Sequence, residues 1–121
     1  MVSPLLLSRS LAHSAGYRDI PVAAARQHLS ELRLVDVREP DEFVGPLGHM
    51  LGAELVPLAT VENAASRWDP EVPVLLICRS GARSGRAAAA LAARGFRNVF
   101  NLTGGMLAWV EQFDRRVVEG G

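Results

Sequence analysis

The sequence predicts a doubly wound α/β domain, a mostly parallel central sheet with helices on both faces. Val74-Leu75-Leu76-Ile77 is apolar on both of its sides, as a strand must be when helices cover it above and below. Around it, apolar runs of strand length alternate with segments of helical spacing, the order expected of crossover units in a parallel sheet. Ligands of such sheets sit beyond the carboxyl ends of the strands, and the lone cysteine, Cys78, follows directly on Ile77.

Length and composition fit one compact domain. The chain has 121 residues, 49% of them hydrophobic, enough to bury roughly two-thirds of the unfolded surface. Thirteen basic and thirteen acidic residues cancel, so no overall field recruits nucleic acid or a membrane surface. Every basic residue is arginine, which excludes lysine nucleophiles and Schiff bases. A single cysteine forms no internal disulfide and leaves no resolving thiol. The three histidines and this cysteine lack metal-ligand spacing, and neither a metal nor an organic cofactor is expected.

Taken in order, residues 1–16 are an extension, expected as a short helix from Pro4 to about His13 or as a frayed segment. Leu5-Leu6-Leu7 is too short to span a bilayer, which needs about twenty apolar residues. It also lacks the positive lead-in of a signal peptide. A cytoplasmic protein is expected. The domain proper is placed at 17–113. Tyr17–Ile20 reads as a short edge strand, and Pro21 suits a first helical turn. Val22, Ala25 and Leu29 recur at helical spacing as a buried stripe.

Leu32–Val37 reads as the next strand, followed by a one-turn helix opened by Pro40, with Asp41 and Glu42 where negative charge is favoured. Phe43 is expected to anchor that turn in the core. Gly45–Ala53 is a turn-rich connection in which His49 is expected to fix a turn rather than act as a base. A strand near Glu54–Val56 and a helix over Thr60–Arg67 follow, with Val61, Ala64, Ala65 and Trp68 inward.

After Cys78 comes a loop and a helix expected from about Ser84 to Arg94, capped by Gly95. Its alanines imply close packing on the sheet. Val99–Leu102 is the last strand, Trp109 is expected in the core, and 114–121 reads as a frayed tail.

A cysteine ending an apolar run is commonly an inert core residue. Here Arg79, Arg83 and Arg86 cluster around it, and a buried inert thiol has no use for such charge. Unpaired N–H groups at a helix start, the helix dipole and loop amides all favour an anion at that point. Together these features are expected to lower the thiol from about 8.5 towards neutrality and make Cys78 a nucleophile.

Four residues separate Cys78 from Arg83, one fewer than in the cysteine phosphatase signature, so the cradle suits a group smaller than phosphoryl. The stretch Cys78-Arg79-Ser80-Gly81-Ala82-Arg83-Ser84 resembles the active-site loop of single-domain rhodaneses. Asp36-Val37-Arg38 before it, and Gly104-Gly105-Met106-Leu107-Ala108-Trp109 after it, resemble the other family signatures in the family's order. The resemblance implies a rhodanese-like sulfurtransferase. Its Cys78 would carry a persulfide from thiosulfate or a persulfide donor to an external thiol, that of a protein included, or to cyanide.

On that resemblance Arg79, Ser80, Gly81, Ala82, Arg83 and Ser84 form the anion-binding loop. Asp36 and Arg38 brace it, against the plainer reading of a solvated pair at a strand end, and Arg86 supports it electrostatically. The paired glycines would let backbone pass close to the loop. Two rivals are a non-enzymatic binding or redox-sensing module and a phosphatase or arsenate reductase using the same cysteine.

Overall fold

The computed structural model describes residues 2–113 and 118–119. The chain runs through α1 (Pro4–Ser8), β1 (Leu11–Ala12), β2 (Arg18–Pro21), α2 (Val22–Arg26), β3 (Arg33–Asp36), α3 (Pro40–Phe43) and β4 (His49–Met50). It continues through β5 (Glu54–Leu55), α4 (Val61–Ala65), β6 (Val74–Ile77), α5 (Ala82–Ala93), β7 (Val99–Thr103), α6 (Gly105–Gln112) and β8 (Val118–Glu119). The central sheet has the order β1-β2-β7-β6-β3-β5, and every neighbouring pair is parallel except β1 on β2. This is the doubly wound α/β arrangement expected from the sequence.

β6 lies between β7 and β3, and all four of its residues are buried. Alternation sends them to opposite sides. Leu75 and Ile77 join Ile20, Leu34, Phe100 and Leu102 in a cluster with Leu6, Val22, Ala25, Met106 and Trp109, which covers one face with α1, α2 and α6. Val74 and Leu76 join Val35 and Val99 beneath α4 and α5, against Val61, Ala65, Ala87, Ala88 and Leu91. Each fully buried aliphatic side chain stabilises the fold by about 1.5–3 kcal/mol. Alanine at 87 and 88 lets α5 approach the sheet without a gap, and α5 carries the loop end that faces Cys78.

Several local expectations shift. α1 stops at Ser8 instead of reaching His13: Ser3 caps its start by accepting from the N–H of Leu6 at 3.2 Å, and Leu6 is buried while Leu5 and Leu7 are exposed. Leu11–Ala12 then pair antiparallel with β2, so the strand expected at the sheet edge gains an outer neighbour. α5 begins at Ala82, two residues early, because Gly81 takes a φ of 105° and turns the chain directly into the helix. The helix expected at Thr60–Arg67 is a 3-10 turn at Leu58–Thr60 followed by α4. Phe43 stays half-buried outside both core clusters, stacked on His49 with ring centroids 3.5 Å apart. The tail at 114–121 lies outside the described residues except for Val118–Glu119, which pair antiparallel with His49–Met50.

Candidate active site

Cys78 is the first residue past the carboxyl end of β6, and three residues separate it from α5. That tightness aims the start of α5 at the sulfur. The N–H of Gly81 donates to Cys78 Sγ at 3.0 Å, and the Ser84 hydroxyl lies 3.2 Å away. Burial by itself would push the thiol up. The Ser84 hydroxyl, followed by the main-chain amides of Ser84, Gly81 and Ser80, outweighs it and holds the thiol below its ordinary value. Cys78 is only 1% exposed, and the donors aimed at it set it apart from an inert core thiol.

The arginines do not play the part expected of them. Arg83 turns away into a fork with Glu42, Nη1 to Oε1 at 2.7 Å and Nη2 to Oε2 at 2.8 Å. Its guanidinium is held above its ordinary value chiefly by that bond, with Cys78 a minor contributor. The same fork holds the Glu42 carboxyl down at about 2. Arg79 and Arg86 are exposed. Hydrogen-bond donors, rather than guanidinium charge, thus stabilise the thiolate, because amides touch the sulfur while the charges stand off or are already paired.

Asp36 and Arg38 are not a solvated pair. They are 0% and 1% exposed. Arg38 Nε donates to Asp36 Oδ1 at 2.9 Å and Nη2 donates to Oδ2 at 2.8 Å. The remaining guanidinium donors hold the carbonyls of Glu42 at 3.2 Å and Gly48 at 2.7 Å. The brace therefore ties down the 42–48 turn, and Glu42 carries the connection on to Arg83 at the start of α5, while Asp36 itself pairs in the sheet with Ile77, next to Cys78. His49 fastens the same turn, its Nδ1 at 2.8 Å from the carbonyl of Phe43. The turn forms one wall of a cleft of about 250 Å³ lined by Arg38, Glu42, Pro46, Leu47 and Arg79.

The back of the loop rests on α6. The N–H groups of Met106 and Leu107 donate to the carbonyls of Cys78 and Arg79 at 2.9 and 3.1 Å. A Cβ on Gly105 would meet both carbonyl oxygens at 2.5 Å. The close passage expected of the glycine pair is present, and Trp109 is buried in the core as expected.

Three positions near the site were not singled out as site residues in the sequence: Glu42, Asn101 and Asp19. Glu42 carries a signal, since with Glu39 it forms a capping box, Glu42 Oε1 accepting from the Glu39 N–H at 3.0 Å. Asn101, a polar residue inside an apolar strand, carries another. Asp19 has none.

A buried cysteine sulfur that meets a loop amide and a helix-start hydroxyl at the carboxyl end of a central parallel strand defines a class of cysteine-loop α/β domains. Within that class the chain belongs to the rhodanese-like domain family, whose model matches residues 21–112. It is 43% identical over 77 residues to the uncharacterized protein YqhL of Bacillus subtilis, covering 64% of this chain and 60% of that one, so it spans less than two thirds of that relative. It is 32% identical over 99 residues to the thiosulfate sulfurtransferase GlpE of Ectopseudomonas mendocina, covering 78% of this chain and 89% of that one. Among solved structures it is similar to a rhodanese-related protein of Thermoplasma volcanium, with a TM-score of 0.72, 26% identity and coverage of 79% and 93%. Among the described residues, no helix is long and apolar enough to cross a membrane.

Proposed function

We propose that this protein is a sulfurtransferase in which Cys78 carries one sulfane sulfur between an external donor and an external acceptor. The reading rests on the sulfur of Cys78 lying within reach of the Gly81 amide and the Ser84 hydroxyl at the end of β6. The thiolate attacks the outer sulfur of the donor. With thiosulfate, a new S–S bond forms, the bond to the sulfonate sulfur breaks, and its electron pair leaves on sulfite. Cys78 then holds a persulfide whose terminal anion is bound by the amides between Arg79 and Ser84. An acceptor thiolate, on a small molecule or a protein, takes the outer sulfur, becomes a persulfide, and returns Cys78 as a thiolate.

Arg79, exposed at the cleft, steers an anionic donor. Asp36, Arg38, Glu42 and Arg83 keep the walls of the cleft in place. Arg86, exposed on α5, contributes only to the general field. A thiol with no internal partner must stay reduced between turnovers, so we place the activity in a reducing compartment such as the cytoplasm. The test is intact mass after incubation with thiosulfate. A gain of one sulfur atom, reversed by cyanide or reductant and absent in Cys78→Ser, is expected. An unchanged mass with several donors sinks the proposal in favour of a binding or sensing module.

A further inference from the structure

Beneath the cysteine loop, two buried polar side chains, Ser84 and Asn101, lead from Cys78 across β7 to the half-buried Asp19 on β2. Ser84 Oγ lies 3.2 Å from Cys78 Sγ and 2.6 Å from Asn101 Oδ1. Asn101 Nδ2 donates to Asp19 Oδ1 at 3.0 Å. Ser84 is 0% exposed and Asn101 5%. An ionised carboxylate only accepts, so Asp19 holds the amide with its Nδ2 outward and its Oδ1 towards Ser84. The Ser84 hydroxyl has one proton, and two acceptors stand within reach of it.

We propose that Asn101, oriented by Asp19, is a positioning residue that competes with the Cys78 sulfur for the single hydroxyl proton of Ser84. With Cys78 protonated, its S–H points to Ser84 Oγ, and the Ser84 hydroxyl donates to Asn101, so every group in the chain is satisfied. Ionisation turns the hydroxyl to the thiolate and leaves a buried amide oxygen without a donor, which opposes ionisation. When Cys78 carries a second sulfur, the charge moves to the terminal atom in the loop. Sγ becomes a weak acceptor, and the hydroxyl returns to Asn101. This last state rests on the sulfurtransferase reading; the first two do not.

The competition serves nucleophilicity. A thiolate saturated with donors is abundant but a poor attacker, because intrinsic reactivity falls with basicity. Asn101 withholds part of one donor, keeps the sulfur more basic, and releases strain in the amide once the persulfide forms. Among the described residues, the ionisable groups on the elements around Cys78 are Asp19 and Tyr17 from β2 and the segment before it, Asp36 at the end of β3 and Arg38 just past it, Glu42 on α3, Arg79 on the loop, and Arg83 and Arg86 on α5. Ser84 and Asn101 are both neutral, so replacing them leaves that charge set intact.

The experiment is a thiolate titration by ultraviolet absorbance on the full chain and on Ser84→Ala, Asn101→Leu and their combination. Ser84→Ala is expected to raise the midpoint. Asn101→Leu is expected to lower it by about half to one pH unit, a three- to tenfold rise in the thiolate-to-thiol ratio. The double variant should titrate like Ser84→Ala, because Asn101 acts only through the hydroxyl. An unchanged or raised midpoint in Asn101→Leu overturns the proposal, as does an equal shift in both backgrounds. Should Asn101→Leu fail to fold, Asp19→Asn releases the amide instead. Its downward shift should then be larger with Ser84 present than in Ser84→Ala, and equal shifts overturn the proposal. No sulfur donor enters this titration, so a failure here leaves the sulfur-loading test standing, and the reverse holds.

Discussion

The carbonyl oxygen of Cys78 accepts from the N–H of Met106 at 2.9 Å, so the start of α6 is the back wall of the cysteine loop. Gly105 makes that contact possible. Its φ is 56°, and a Cβ there would strike the carbonyls of Cys78 and Arg79 at 2.5 Å. Backbone cannot yield cheaply on either side. Gly105→Ala is therefore expected to cost about 2–3 kcal/mol and to lower Tm by about 8 °C or more. Persulfide loading should fall with it, because the loop amides shift. A variant with wild-type melting and wild-type loading would show that the loop does not rest on α6.

The Asp36–Arg38 pair is fully buried, and its energetics are asymmetric. Asp36→Ala leaves a guanidinium in the interior with only carbonyl partners, and a loss of about 3–5 kcal/mol is expected. Replacing both residues by apolar ones of similar volume should cost less than the single change. Urea unfolding of Asp36→Ala, of Arg38→Met and of the double variant checks the order. An additive double variant would mean that the two side chains act independently.

The fork between Arg83 and Glu42 links the braced 42–48 turn to α5. Glu42→Gln is expected to lower stability by about 1 kcal/mol, modest because both side chains are partly exposed. The pH dependence has a definite sign. The Glu42 carboxyl sits near 2 in the folded protein against an ordinary value of 4.5. Its contribution is thus full above 4.5 and is lost as pH falls from there through 2. The stability gap between wild type and Glu42→Gln should close across that window, and a gap that widens on acidification would contradict the assignment.

Arg79, the residue after Cys78 in the chain, is exposed and lines the cleft. Arg79→Ala is expected to raise the KM for thiosulfate by about two- to fivefold, the range of one solvent-exposed charge contact. The turnover number should change little, and the salt dependence of kcat/KM should flatten. Steady-state kinetics at two ionic strengths decide it. An unchanged KM would remove Arg79 from donor capture.

By itself the sequence determined the fold class and the place of Cys78 in it. A strand apolar on both faces needs helices above and below, and Cys78 directly after it must stand at the carboxyl end of the sheet. The paired glycines likewise announced a close approach of backbone, which the structure delivers at Gly105. What the sequence could not decide is which charges reach the sulfur. Arg79, Arg83 and Arg86 are neighbours of Cys78 along the chain, yet Arg83 is committed to Glu42, 41 residues away. The donors that matter are amides and a hydroxyl whose direction depends on Gly81 starting α5 early. Asn101 and Asp19 meet only because β7 lies beside β2, 82 residues apart in sequence. Backbone periodicity is local and therefore legible in the chain, whereas the partner of a long charged or polar side chain is set by strand order, which only the folded sheet fixes.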